Sequence, residues 1–241
     1  ILESFKSRVE KKGYDIMFLS KSIGTEKGSY LEHSKRKQVE AILVLCGEFD
    51  SDEMKSLYKS TIPTIVIDYN LASVCNITSN NRQGVRTAVK YLHDLGHEKV
   101  GHIHGGEFLE IGQVRKNYFH EALKDYGMEE YPQFEKDGNF FGKEDGYKAM
   151  KQIIDEEDQP TAIFCASDML AIGAMQAITE AGKSVPDDYS IIGFDGIDIG
   201  QLINPRLTTI RQDTYTMGKT AADLILQMIN DKNHARTNET I

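Results

Sequence analysis

The chain has 241 residues, with 37 Asp and Glu against 28 Lys and Arg, a formal net charge of −9, 40% hydrophobic and 27% charged residues. That is ordinary soluble composition, with length enough for one large lobe or two smaller ones. The acidity argues against this chain gripping DNA or an anionic membrane by itself, since phosphate binding needs clustered cations.

The elements read in order as follows. Ile1, Leu2, Phe5 and Val9 recur at helical spacing, and Gly13 stops that helix. A strand is expected over residues 14–19. A strand–helix–strand unit needs a strand before its helix, so the sequence reads as beginning one strand late. Residues 31–37 and 51–59 are polar, helix-length connections, while 39–46 and 64–68 read as buried parallel strands, the second ending in Asp68. Ser79-Asn80-Asn81 caps a helix carrying Val85, Ala88, Val89, Leu92 and Leu95 on one face, with Gly96 as its stop. Residues 99–104 form a strand leading into Gly105-Gly106, and helices follow over 115–126 and 146–154. Residues 162–166 are apolar on both faces and stop at Ser167-Asp168, where Asp168 reads as the N-cap of a helix presenting Met169, Ile172, Ala174, Met175 and Ile178. Gly182 and Pro186 close it, and residues 190–194 form a further strand ending at Asp195. The last helix runs over 217–229, and the polar tail 232–240 is expected to fray.

This alternation specifies doubly wound α/β architecture, with more strands than one sheet of this length accommodates. Two parallel-sheet lobes, joined by several crossings around a cleft, are the simplest arrangement. In such sheets ligands bind outside the carboxyl ends of the strands, which marks Ser167, Asp168 and Asp195 as polar groups placed for recognition. His102 and His104 share one strand face, but a metal needs a third ligand and no regular spacing supplies one. One of the two imidazoles is expected to line the cleft. No phosphate-cradling loop or nucleophile elbow is present, so neither an enzyme nor a resident cofactor or metal is expected. Cys46, Cys75 and Cys165 are odd in number, and Cys46 and Cys165 lie in apolar runs, which fits reduced thiols in a cytoplasm better than disulfides.

The segments Asn80-Asn81-Arg82-Gln83-Gly84, Leu95-Gly96-His97-Glu98-Lys99-Val100, Pro160-Thr161-Ala162-Ile163-Phe164 through Ser167-Asp168, Val185-Pro186-Asp187-Asp188 through Gly193-Phe194-Asp195, and Pro205-Arg206-Leu207-Thr208-Thr209-Ile210-Arg211-Gln212 carry a likeness over nearly the whole chain. Together they resemble the ligand-sensing core of lactose-repressor (LacI/GalR) family transcription regulators, itself similar to ribose-type periplasmic sugar-binding proteins. The resemblance implies a type I periplasmic-binding-protein-like fold. It implies a first lobe of residues 1–78 plus 213–230 and a second of 79–212. It further implies a DNA-reading helix-turn-helix headpiece and hinge that this sequence does not contain, a homodimer, and a small effector, a sugar or sugar derivative, bound between the lobes. Asp68 and Asp195 match the acids that accept from ligand hydroxyls, Arg115 the cleft arginine, and Gln212 the glutamine at the lobe crossing. Ser167 stands where relatives often carry Asn, and Phe140 or Phe141 where they place an aromatic against the sugar. A polyol suits this set, since carboxylates facing an arginine satisfy hydroxyls that both donate and accept.

A cytoplasmic regulator touching operator DNA only through its headpiece, and no membrane, is the leading expectation. A periplasmic sugar-binding protein of a transporter is the alternative, and a sugar-acting enzyme on a related fold is the third. Whether a phosphoprotein partner also acts as effector, and whether ligand induces or corepresses, stay open.

Overall fold

A computed structural model describes residues 1–19, 22–23, 26–45, 49, 51–71, 74–231 and 238–241. Along it the apolar runs become short parallel strands and the amphipathic stretches become the helices that cover them. In chain order the elements are α1 (Leu2–Glu10), β1 (Ser22–Ile23), β2 (Glu26–Lys27), α2 (Tyr30–Arg36), β3 (Ile42–Val44), α3 (Asp52–Tyr58), β4 (Thr64–Ile67) and β5 (Cys75–Thr78). Then come α4 (Asn81–Asp94), β6 (Val100–His104), α5 (Glu110–Asp125), β7 (Glu135–Asp137), α6 (Lys143–Ile154), β8 (Ala162–Cys165), α7 (Asp168–Glu180), β9 (Ser190–Asp195) and β10 (Thr208–Arg211). The chain ends with α8 (Thr214–Asn230) and β11 (Asn238–Thr240).

These elements divide into two compact units, Ile1–Ser79 with Asp213–Ile241, and Asn80–Gln212. In the first, a parallel sheet runs β11-β5-β4-β3. Alternation along β4 sends Ile65 and Ile67 into a core with α1 and α8, and Val66 into one with Leu57 and Tyr58 of α3. Two expectations fail here. Residues 14–19 form no strand: Tyr14 and Ile16 pack on the core, but Phe18 is 82% exposed and the described sheet ends at β3. Their alternation reported which side chains are covered, not whether a backbone ladder exists. Conversely, residues 238–240 of the polar tail do not fray. They pair in parallel register with Asn76, Ile77 and Thr78, because backbone hydrogen bonding at an open sheet edge asks nothing of side-chain polarity. Cys75 is buried, as is Cys165 in the second unit, while Cys46 lies outside the described residues.

The second unit holds a parallel sheet in the order β10-β9-β8-β6-β7. Along β8, Ala162 and Phe164 face the core built with α4 and α5, and Ile163 and Cys165 the core built with α6 and α7. The sheet is therefore covered on both sides, as a strand apolar on both faces requires. β7 was not anticipated, since Glu135-Lys136-Asp137 is charged throughout and sits at the edge beside β6. The two helices α6 and α7 touch backbone to backbone. A Cβ at Gly173 would lie 1.9 Å from the Lys143 carbonyl oxygen, and one at Gly146 would lie 2.2 Å from that of Leu170. Only glycine permits that approach. No helix among the described residues is long and apolar enough to cross a membrane.

Candidate ligand-binding site

The carboxyl ends of β6, β8, β9 and β10 in the second unit converge on one polar cluster. Its centre is Arg115, in the first half of α5 and only 3% exposed. Its Nε donates to Asn81 Oδ1 at 2.9 Å, and Nη1 donates to the Ala166 carbonyl at 2.6 Å and reaches Asp195 Oδ1 at 3.4 Å. The guanidinium lies 3.8 Å from the centre of the Phe194 ring, a cation–π seat on an apolar floor. A buried cation is tolerable because its donors are matched. Fixed in this way, it presents a rigid fork rather than a mobile charge.

Asp195, the last residue of β9, has a side chain 28% exposed and accepts from Gln212 Nε2 at 2.6 Å. The Gln212 amide also donates to the Asp195 carbonyl at 3.1 Å, continuing the β9–β10 register past Arg211. Asp195 holds φ at +124° and Gly196 at +74°. A non-glycine residue kept there costs of order 1–3 kcal/mol and persists only where its surroundings enforce it.

Ser167 is the N-cap of α7: its hydroxyl accepts from the Leu170 amide at 3.1 Å and donates to the Phe141 carbonyl at 3.3 Å. Asp168 is not the cap. It is the first helical residue, fully buried, and its carboxylate accepts from the Ile197 amide at 2.7 Å and the Thr209 hydroxyl at 2.5 Å. The Ser-Asp pair offered two capping side chains, and the serine took the position because the acid has longer-range donors to serve. Desolvation pushes the Asp168 carboxyl above its ordinary range, against the opposing effect of those donors.

The loop 138–142 is laced to the end of β6 through Gly138 N to His104 O at 2.7 Å and Gly106 N to Asn139 O at 2.8 Å. It carries Phe141, at φ +63°, over Gly105, while Phe140 is 69% exposed and meets Phe108 edge-on at 4.7 Å. Phe108 had no signal in the sequence beyond its place after Gly105-Gly106. Asp68 belongs to the first unit, at the end of β4 with φ +54°, where Oδ1 accepts from the Ser79 amide at 3.4 Å.

Neither imidazole of the His-x-His pair is open. His102 is fully buried, stacked on Phe119 at 4.5 Å and Phe164 at 5.0 Å, and burial holds it well below the usual histidine range. His104 is 4% exposed with Nδ1 2.7 Å from the Gly105 carbonyl. Among the described residues, no group of three or more His, Cys, Asp or Glu is placed to hold a metal ion.

Comparison with known proteins gives this geometry a family. A family described as periplasmic binding protein-like domain matches residues 89–241. The HTH-type transcriptional repressor PurR of Pasteurella multocida (strain Pm70) is 34% identical over 240 residues, which is 98% of this chain and 72% of that protein. A LacI family transcriptional regulator from Enterococcus faecium, solved with bound ribose, is 26% identical with a TM-score of 0.84, covering 100% of this chain and 88% of that one. A LacI family transcriptional regulator from Mycobacterium smegmatis, at 22% identity and a TM-score of 0.86 over 100% of this chain and 88% of its own, shares the fold. The chain therefore belongs to the LacI family of transcriptional regulators and carries that family's periplasmic-binding-protein-like domain.

Proposed function

We propose that this chain is the effector-sensing and dimerisation core of a cytoplasmic transcriptional regulator, and that a small neutral polyol, most simply a sugar, binds at Arg115, Asp195 and Gln212. The observation that carries the reading is the buried Arg115 fork beside a half-open carboxylate, at the carboxyl ends of a parallel sheet. Arginine and aspartate balance each other, so the cluster favours a neutral ligand rich in donors and acceptors over an anion. The ribose bound to the Enterococcus faecium relative supports the same class. Ser167 and Phe141 line the adjoining edge, and Phe140 offers an apolar face.

Ligand would bias the full-length regulator between two states through its differential affinity for them. A headpiece outside this sequence would read operator DNA as part of a two-fold dimer. No catalytic step is proposed, and the relatives are repressors.

Isothermal titration with D-ribose, common hexoses, disaccharides and free nucleobases tests the reading. Saturable binding of one sugar is expected, weakened about ten- to a hundredfold in Asp195→Asn, the loss of one hydrogen bond to a charged group. Binding of a nucleobase and of no sugar replaces the ligand class while keeping the effector core. No binding across the panel removes the small-effector reading.

A further inference from the structure

We propose that Asp168 is the positioning residue of this site: its buried carboxylate fixes the turn 195–197 and thereby aims the Asp195 carboxylate at Arg115 and Gln212. The assignment of a ligand role to Asp195 rests on the reading above; the positioning itself does not.

Three elements meet on this one carboxylate. It stands at the start of α7, takes the Ile197 amide at 2.7 Å and the Gly196 amide from the turn after β9, and takes the Thr209 hydroxyl at 2.5 Å from β10. Thr209 pairs in register with Gly193, and a Cβ at Gly193 would lie 2.3 Å from Asp168 Oδ1. The carboxylate is thus seated against the strand itself, with no room for a water between. The residue it holds from behind is the one with the unfavourable backbone: Asp195 at φ +124° is followed by Gly196 at φ +74°. Amides of a turn in that conformation need acceptors to stay there. Asp168 supplies them from the first turn of α7, where it is fully buried. Its solvation argues for position over stability, because a buried carboxylate raised by desolvation is a costly way to fill space.

The test uses the ligand-free chain, labelled with 15N, and compares Asp168→Ala with Asp168→Asn. Asparagine can still accept from the Ile197 amide and donate to the Thr209 hydroxyl, which can reverse its role. In Asp168→Ala, exchange of the Gly196 and Ile197 amides is expected to accelerate about ten- to a hundredfold, as for a lost hydrogen bond to a charged group. The Gln212 side-chain amide and Arg115 Nε resonances move with them, while slow amides at Ile103 and Phe164 keep their rates. Asp168→Asn restores the Gln212 and Arg115 signals. The proposal is overturned if Gln212 and Arg115 stay at their wild-type positions while the turn loosens. It is equally overturned if every slow amide of the second unit accelerates together, the mark of a merely structural residue. If the positioning signature is seen and the ligand panel finds nothing, only the functional reading of Asp195 falls.

Discussion

Replacing Arg115 by methionine removes the centre of the polar cluster while keeping most of the aliphatic stem. The guanidinium is 3% exposed and holds Asn81 Oδ1 at 2.9 Å, the Ala166 carbonyl at 2.6 Å and Asp195 at 3.4 Å. Each acceptor deprived of a charged donor loses about 1.5–3 kcal/mol, and the seat on Phe194 adds about 1–2 kcal/mol when desolvated. Against this stands the desolvation of a buried cation, several kcal/mol, which the variant no longer incurs. The balance is a destabilisation of about 3 kcal/mol, at the lower end of the range for breaking a buried pair from one side. With a urea slope of about 1–3 kcal/mol per molar, the unfolding midpoint of the second unit drops by about 1–3 M. Because two compact units can unfold in separate transitions, the midpoint is read by hydrogen-exchange mass spectrometry on peptides from residues 80–212, with those from 1–79 as internal reference. Arg115→Lys is expected to recover less than half the loss, since an ammonium cannot reach acceptors arranged for a planar fork. A midpoint shift below about 0.3 M in the methionine variant would refute the claim that these bonds hold the unit together.

Gly173→Ala drives a Cβ to 1.9 Å from the Lys143 carbonyl oxygen, a backbone atom that cannot swing away. A loss of about 3 kcal/mol in the second unit is expected, measured by urea denaturation, whereas the same change at exposed Gly127 carries no such clash and costs only the strain of its positive φ. The Asp168 carboxyl is raised above its ordinary value of 3.8 by burial, so the stability it contributes is full below that value and lost as pH rises through the folded one. Acidification from pH 7 towards 4 should therefore favour the wild type relative to Asp168→Asn, and parallel pH–stability curves would contradict this. Cys165 is fully buried and its thiol is pushed far up by desolvation, so it should resist thiol-specific reagents in the native chain and react on denaturation. Mass spectrometry of the modified peptide reads the outcome.

Where a signal was local, the sequence carried it. The cap Asn80 on α4 sits where short polar side chains precede apolar periodicity, whereas α8 begins at Thr214, three residues before the expected 217, behind the cap Asp213. The strands β4, β8 and β9 follow from runs apolar on both faces. Arg115 at an expected helix start and Asp195 at a strand end were legible as positions, while Gln212, which follows β10, entered only through the family resemblance. What was hidden depends on partners distant in sequence. β7 and β11 are polar strands made by an available edge, which no alternation announces. Residues 14–19 show the reverse, an alternating pattern without a ladder. Asp168 looked like a cap because its true donors, Ile197 and Thr209, are 29 and 41 residues away. The pair His102 and His104 looked available because stacking against Phe119 and Phe164 cannot be read from a strand alone.

The close backbone approach between α6 and α7 has a mechanical consequence. Helices that meet only through side chains can slide a little as rotamers change, but α6 and α7 also meet main chain to main chain, at Gly146 against Leu170 and at Gly173 against Lys143, and so resist that sliding as one plate. The loop bearing Phe140 and Phe141 feeds directly into α6, and Ser167 opens α7, so both are mounted on that plate. Adaptation of this edge of the cluster to ligands of different outline then falls to single torsions, above all the exposed ring of Phe140, while the frame behind it keeps its dimensions.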